Sequence, residues 1–212
     1  MIKQRITNLR KLLDINNIDG YIVPKNDAYF SEFSLPNRLR LISNFSGSAG
    51  FAIILKKKNF LFVDSRYTIQ AKIESSKNFT IVDFTKFLPR KILNNNGKKL
   101  RLGIDPQLFT NFSINKNFKK NFNICEIENN LIDKVCKKKS KNAVFSFYNL
   151  DKKITGESVN SKIKKLIKNI KLNNIDNIFV SAPENVAWLL NLRGKDNPNS
   201  PIPNSKLILT KK

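Results

Sequence analysis

Apolar side chains at Ile2, Ile6, Leu9, Leu12 and Leu13 fall on one face of a 3.6-residue period, which predicts an amphipathic helix over residues 2–16. The pattern then changes. Gly20-Tyr21-Ile22-Val23-Pro24 is a short apolar run closed by proline, as expected of a buried strand. Phe51 to Leu55 and Phe60 to Asp64, separated by Lys56-Lys57-Lys58-Asn59, predict a hairpin. Further along, Tyr67 to Ser75 predicts a helix, Phe79 to Val82 a strand and Phe84 to Leu93 a helix. Leu100 to Ile104 and Phe122 to Cys125 predict strands, with a helix between them near Phe112 to Phe118. Strands alternating with helices, plus one hairpin, indicate an α/β domain with a mixed sheet.

The pattern repeats. Residues 137–142, Lys-Lys-Lys-Ser-Lys-Asn, form a polar run that predicts a linker between a first domain over residues 1–136 and a second over 143–212. After it, Ser158 opens a helix with Ile163, Leu166, Ile167 and Ile170 on its apolar face, followed by a strand at Asn177-Ile178-Phe179-Val180. Shifting the sequence from residue 6 to residue 163 pairs Ile6 with Ile163, Leu9 with Leu166 and Val23 with Val180. The same shift pairs Asn16-Asn17-Ile18-Asp19 with Asn173-Asn174-Ile175-Asp176. Lys206 to Lys211 resembles the first hairpin strand, but no counterpart of Phe60 to Asp64 follows it. On this reading the last strand lacks a partner and the second domain is an incomplete repeat of the first.

Charge adds one question. The chain carries 39 Lys and Arg against 16 Asp and Glu, a net charge of +23. Such an excess suits nucleic-acid or anionic-membrane surfaces. It also suits a composition rich in Lys, Asn, Ile and Phe throughout, and along the chain the cations are scattered rather than gathered in one run. The predominance of Lys over Arg weakens the case for base or phosphate recognition, so nucleic acid is not the expected partner. There is no histidine, which removes the commonest general base and transition-metal ligand. Cys125 and Cys136 form neither a C-x-x-C pair nor a disulfide framework, and no apolar run approaches the ~20 residues that span a bilayer. A cytoplasmic setting without a membrane is the expectation.

Three segments invite chemical readings. Phe45-Ser46-Gly47-Ser48-Ala49-Gly50 has the glycines of a phosphate cradle but lacks a Gly-Lys-Ser/Thr ending, and a tight turn explains it more simply. Asp64, with Arg66 and Tyr67 behind it, suits a helix cap. Asp64, Asp83 and Asp105 each follow an apolar strand, which raises a Mg²⁺ nuclease alternative beside the simpler reading of three caps.

The densest motif of the chain is Glu184-Asn185-Val186-Ala187-Trp188-Leu189-Leu190-Asn191-Leu192-Arg193-Gly194-Lys195-Asp196. With the segments that follow, it resembles the three-domain Xaa-Pro aminopeptidases (aminopeptidase P). Asp27-Ala28-Tyr29-Phe30-Ser31-Glu32-Phe33 resembles the family's D-x-H-x-S-E-Y, with Tyr29 and Phe33 departing from it. Asn44 to Gly50 resembles G-F-x-G-S-A-G, with Asn44 in place of Gly, and Val63 to Ala71 resembles T-D-x-R-Y-x-x-Q-A. Gly103-Ile104-Asp105-Pro106, Asn130-Leu131-Ile132-Asp133 and Gly156-Glu157-Ser158 complete the series, which covers nearly the whole chain.

The resemblance implies a creatinase-N-terminal-like (ribonuclease-H-like) domain and the front of its repeat. It implies the non-catalytic amino-terminal region of a metallopeptidase that removes a residue preceding proline. Asp27, Gly47, Ser48, Gly50, Asp64, Arg66, Tyr67, Trp188, Asn191 and Gly194 are then structural positions, with Trp188, Leu189 and Leu190 in the core. Glu32, Arg193 and Asp196 are the candidates to face the substrate cleft, although an ion pair of Glu32 with Arg38 or Arg40 is the plainer alternative. No catalytic residue or metal ligand is expected in this chain. Two divalent ions, Mn²⁺ by resemblance, are expected in a catalytic domain that the chain lacks, and peptides with proline second, that domain and a second copy in a homodimer are the expected partners. The alternative is a stand-alone basic α/β module that binds nucleic acid or a protein, marked by lysines converging on one face.

Overall fold

In a computed structural model of the chain, which describes residues 1–31, 35–93, 98–136, 146–197 and 199–211, the first helix, α1 (Ile2–Ile15), buries Ile6, Leu9 and Leu13. It ends where Asn17 takes φ 51°, in the left-handed region that Asn tolerates, and Ile18 N–H donates back to Leu13 O at 3.0 Å. The chain then enters β1 (Gly20–Pro24), buried along its whole length. α2 (Arg38–Ser43) follows, capped by Asn37, whose side chain accepts from Arg40 N–H. β2 (Phe51–Leu55) and β3 (Asn59–Val63) form the expected hairpin. α3 (Thr68–Ser75) leads to β4 (Thr80–Asp83), then α4 (Pro89–Ile92), β5 (Arg101–Ile104), α5 (Asn111–Ile114), β6 (Asn123–Glu126) and α6 (Leu131–Cys136).

The strands form one sheet in the order β4-β3-β2-β1-β5-β6. β2 runs antiparallel to both its neighbours, and every other adjacent pair is parallel, so the sheet is mixed as expected. Side chains alternate across it with the period of two that a strand imposes. Tyr21, Val23, Ala52, Ile54, Leu61 and Val63 face a core shared with Leu9, Leu13, Leu39, Ile42, Leu131 and Ile132. Ile22, Ile53, Phe60, Phe62, Leu102 and Ile104 face a second core with Leu93, Phe118 and Phe122. Each such side chain, fully buried, contributes about 1.5–3 kcal/mol.

One predicted helix shrinks. Of Phe84–Leu93 only Pro89–Ile92 is helical. The Asp83 carboxylate accepts from the Thr85 N–H and hydroxyl and holds a turn, and Leu88 is extended before proline, as the ring requires. The helix near Phe112 also changes character, passing at Asn115–Lys119 into a π turn.

The chain divides into two compact units, Met1–Lys139 and Ser140–Lys212; the linker expected at 137–142 lies outside the described residues. The second unit contains β7 (Tyr148–Asn149), α7 (Lys152–Thr155), α8 (Val159–Leu172), β8 (Asn177–Val180), α9 (Pro183–Leu189), β9 (Leu192–Arg193) and β10 (Leu207–Thr210). Ser158 caps α8 by accepting from Ser161 N–H. The repeat is structural: α8 stands at the same shift from α1 as the sequence indicated, Asn174 has φ 52°, and Ile175 N–H donates to Ile170 O at 3.0 Å, as Ile18 does to Leu13.

The last strand does not lack a partner. β10 pairs antiparallel with β8, as β2 does with β1, so its backbone is satisfied on that side. What differs is the cover. Ile208 sits opposite Phe179 as Ile53 sits opposite Ile22, but Phe179 and Ile208 are 60% and 66% exposed, whereas Ile22 and Ile53 are 1% and 0%.

Candidate functional site

The motifs of the first unit build turns at the end of the sheet where its parallel strands finish. Asp27, buried, accepts from Tyr29 N–H at 2.9 Å and Ser31 N–H at 3.0 Å. That folds the chain after β1 into a turn in which Phe30 takes φ 60°. Its carboxylate is therefore committed to backbone. Glu32, the first cleft candidate, lies outside the described residues. Arg38, one of the two arginines considered as its partner, donates from Nε and Nη2 to the two oxygens of Asp133 at 2.9 and 2.7 Å. Burial works against the charge of Arg38, yet Asp133 holds its pKa above the ordinary guanidinium value. Asp133 thus ties α6 to α2, and Asn130 bonds the buried carboxylate of Asp105 at 2.9 Å while accepting from Ile132 N–H.

The Phe45–Gly50 turn already contains its anion. Glu74 of α3 accepts from Ser46 N–H at 2.8 Å and from the Ser46 hydroxyl at 2.7 Å, and Gln70 donates to both Ser46 Oγ and Glu74. Desolvation pushes the Glu74 pKa up, but the bonds from Ser46 and Gln70, with Arg40 nearby, leave it below the ordinary value. A phosphate would have to displace this carboxylate, so the turn is a structural knot. The Ser48 and Tyr67 hydroxyls lie 2.9 Å apart and fasten the same turn to the start of α3. Gly47 is required because a Cβ there would meet the Phe45 ring at 2.2 Å. Gly50 is required twice over, by φ +147° and by the Phe62 carbonyl oxygen 2.7 Å from where its Cβ would stand.

Asp64 accepts from Arg66 N–H at 3.0 Å and, at 2.8 Å, from Arg66 Nη2. The guanidinium holds the Asp64 pKa below the usual carboxylate value. The Thr85 hydroxyl does the same for Asp83. Asp64 and Asp83 end neighbouring strands, but Asp105 follows β5, with β2 and β1 between β5 and β3. At about 4.8 Å per strand the three do not converge. Among the described residues no group of three or more His, Cys, Asp or Glu could hold a metal ion, and the nuclease alternative loses its geometric basis.

In the second unit the decisive group is one the motif reading did not single out. Lys162 of α8 is buried, and its Nζ donates to Trp188 O and Asn191 Oδ1, each at 2.7 Å, while lying 4.1 Å from the centre of the Trp188 ring. Asn191, at φ 52°, also donates from Nδ2 to Glu157 O at 3.0 Å and to Thr155 Oγ1 at 3.2 Å. Trp188 is therefore not core: it is 62% exposed, because its indole covers the ammonium rather than filling an apolar site. Leu189 is buried and Leu190 half-buried. A Cβ on Gly194 would meet Pro203 Cβ at 2.8 Å, and its N–H donates to Pro201 O at 2.8 Å. Arg193, half-buried in β9, donates from Nη1 to the Leu192 carbonyl, and Asp196 accepts from Asn204 N–H at 2.8 Å. Among the described residues no ion pair joins Arg193 to Asp196.

These two sets of turns lie on two units of one repeated fold, and the sequence comparisons coincide with them. The family model described as Creatinase/Prolidase N-terminal domain matches residues 5–135, and another of the same description matches residues 137–212. The chain belongs to the creatinase/prolidase N-terminal domain family. Xaa-Pro aminopeptidase 1 of Dictyostelium discoideum is 32% identical over 222 residues, covering 95% of this chain and 35% of that protein. A probable Xaa-Pro aminopeptidase P of Aspergillus niger is 33% identical over 219 residues, covering 98% of this chain and 36% of its own length. The chain thus spans about a third of the curated relatives it matches. In fold it is similar to the X-prolyl aminopeptidase of Caenorhabditis elegans, described as a cytosolic enzyme with a di-nuclear active site. That likeness has a TM-score of 0.87 at 24% identity and covers 100% of this chain and 38% of the other.

Proposed function

We propose that these residues are the two non-catalytic amino-terminal domains of a Xaa-Pro aminopeptidase, a cytoplasmic, homodimeric hydrolase that releases the residue preceding proline. The observation that supports this most is identity of 32–33% to Xaa-Pro aminopeptidases over at least 95% of the chain. The second domain is proposed to start after the 137–142 linker and to continue the repeat. In the whole enzyme two divalent ions, Mn²⁺ in this proposal, would supply Lewis-acid chemistry. The described residues do not fit such a centre: the sequence has no histidine, and the acids that lie near one another are bonded to backbone or to cations. The ions belong to polypeptide outside these 212 residues, and no catalytic step is assigned to the present ones.

Their part is to shape the approach to the cleft. Glu32, Arg193 and Asp196 are proposed to face it, with the Lys162–Trp188–Asn191 arrangement fixing the α9–β9 turn that presents Arg193. Reading the source DNA past the Lys212 codon tests the proposal. Several hundred in-frame codons with spaced Asp, His and Glu are expected. A stop codon at that point would overturn the reading of this chain as part of one longer peptidase.

A further inference from the structure

The lysines that are scattered along the sequence are gathered by the topology of the first unit. β1, β3, β4, β5 and β6 all run in one direction, so their starts share one end of the sheet and their finishes the other. Four of the five starts are reached through lysine. Lys56-Lys57-Lys58 leads into β3, Lys77 into β4, Lys98-Lys99 into β5, whose first residue is Arg101, and Lys119-Lys120 into β6. The finishes carry mostly the opposite sign: Asp27 follows β1 behind the buried Lys25, Asp64 follows β3, Asp83 ends β4, Asp105 follows β5 and Glu126 ends β6.

A uniform lysine excess would populate both ends alike. Cations do occur at the acidic end, but they are paired there, Arg66 with Asp64 and Lys86 with Asp83. At the lysine end Lys56 pairs with Asp14, and the Asp19 carboxylate accepts from Arg101 N–H. Lys57, Lys58, Lys77, Lys98, Lys99 and Lys120 are exposed and make no ion pair among the described residues.

We propose that this lysine-bearing end of the first unit's sheet docks the phosphate backbone of a nucleic acid. Six strands at about 4.8 Å place the row across about 24 Å, comparable to six or seven phosphates at the ~3.4 Å rise of one strand. Asn17, Asn78, Asn121 and Asn123 lie among the lysines and add neutral donors suited to phosphate and sugar oxygens, whereas Asn16 and Asn59 donate to the Leu12 and Asn78 carbonyls. Among the described residues Phe79 and Phe122 of these turns are buried and Leu100 is half-buried, and Ile15, at the end of α1, is the large apolar side chain exposed beside them. One exposed isoleucine gives a bilayer little apolar surface to bury, and the row of lysines with interspersed asparagines suits a phosphate backbone better. The surface is independent of any peptidase activity.

The test is fluorescence anisotropy of a labelled 20-base-pair DNA duplex titrated with the full chain between 50 and 200 mM salt. Wild type should bind with affinity falling steeply as salt rises. The variant K57E/K58E/K98E/K99E should lose at least about tenfold in affinity and show a shallower salt slope, and the four corresponding Lys→Gln changes should give a smaller loss in the same direction. A control of equal charge change in the second unit, K152E/K164E/K168E/K171E, should shift affinity less than about threefold. Equal losses in the two Glu variants would overturn the proposal, because charge without location would then explain the binding. No binding at 50 mM salt would overturn it too, as would capture by phosphatidylserine vesicles without capture of the duplex.

Discussion

A single buried ammonium organises the densest motif of the chain. Lys162 is held by two carbonyl oxygens and an indole face, and Asn191 is the partner that also grips residues 155 and 157. Truncating Asn191 leaves the charge buried without one of its acceptors, so Asn191→Ala should destabilise the second unit by about 3 kcal/mol. Lys162→Met removes the charge while keeping most of the volume and should cost under about 1.5 kcal/mol. Urea unfolding followed by the fluorescence of Trp188, the chain's single tryptophan, reads this unit selectively. Equal losses in the two variants would contradict the account. Glu74 gives a pH signature. Its folded pKa lies below the unfolded value near 4.5, so the unfolded chain binds more protons across that interval. The stabilisation is complete above pH 4.5 and is lost as pH falls through the lowered folded value. Glu74→Gln should flatten the acid limb of stability measured from pH 6 to pH 3, and an unchanged limb would show that Glu74 does not contribute.

At the scale of elements, backbone demands explain the motif glycines. Gly50→Ala places a Cβ at φ +147° against the Phe62 carbonyl and should destabilise the first unit by about 2 kcal/mol or more. Gly156→Ala, at φ +74° with no atom within 4 Å of the added Cβ, should cost about 1 kcal/mol. Thermal melting of the two variants checks the order. Most elements were legible because their signals are local. The Asn16-Asn17-Ile18-Asp19 turn and its copy at 173–176 announced the repeat, and the apolar run Tyr21-Ile22-Val23 announced β1, although which of the three faces which core was not legible in a run without polar alternation. The helix expected from Phe84 failed because Asp83 bonds the following turn, an interaction that hydrophobic spacing does not register. Glu74 was missed because Ser46 lies 28 residues away in sequence. Lys162 was legible in principle: it lies three residues after Val159 and four before Leu166, on the apolar face of α8, where a lysine needs acceptors.

Across the whole molecule the two units differ in how far the repeat is covered. Ile22 and Ile53 are buried in a core that includes Phe118 and Phe122, whereas their counterparts Phe179 and Ile208 are exposed to solvent. Hydrogen exchange should therefore be faster in β8 and β10 than in β1 and β2, and equal protection would contradict this. The most direct test of the central claim is release of the first residue from a peptide with proline second, in the presence of Mn²⁺. It should be measured on these 212 residues alone and on the product of the continuous reading frame that contains them. No turnover is expected from the 212 residues, and turnover is expected from the longer product. Metal-dependent turnover by the 212 residues alone would contradict it.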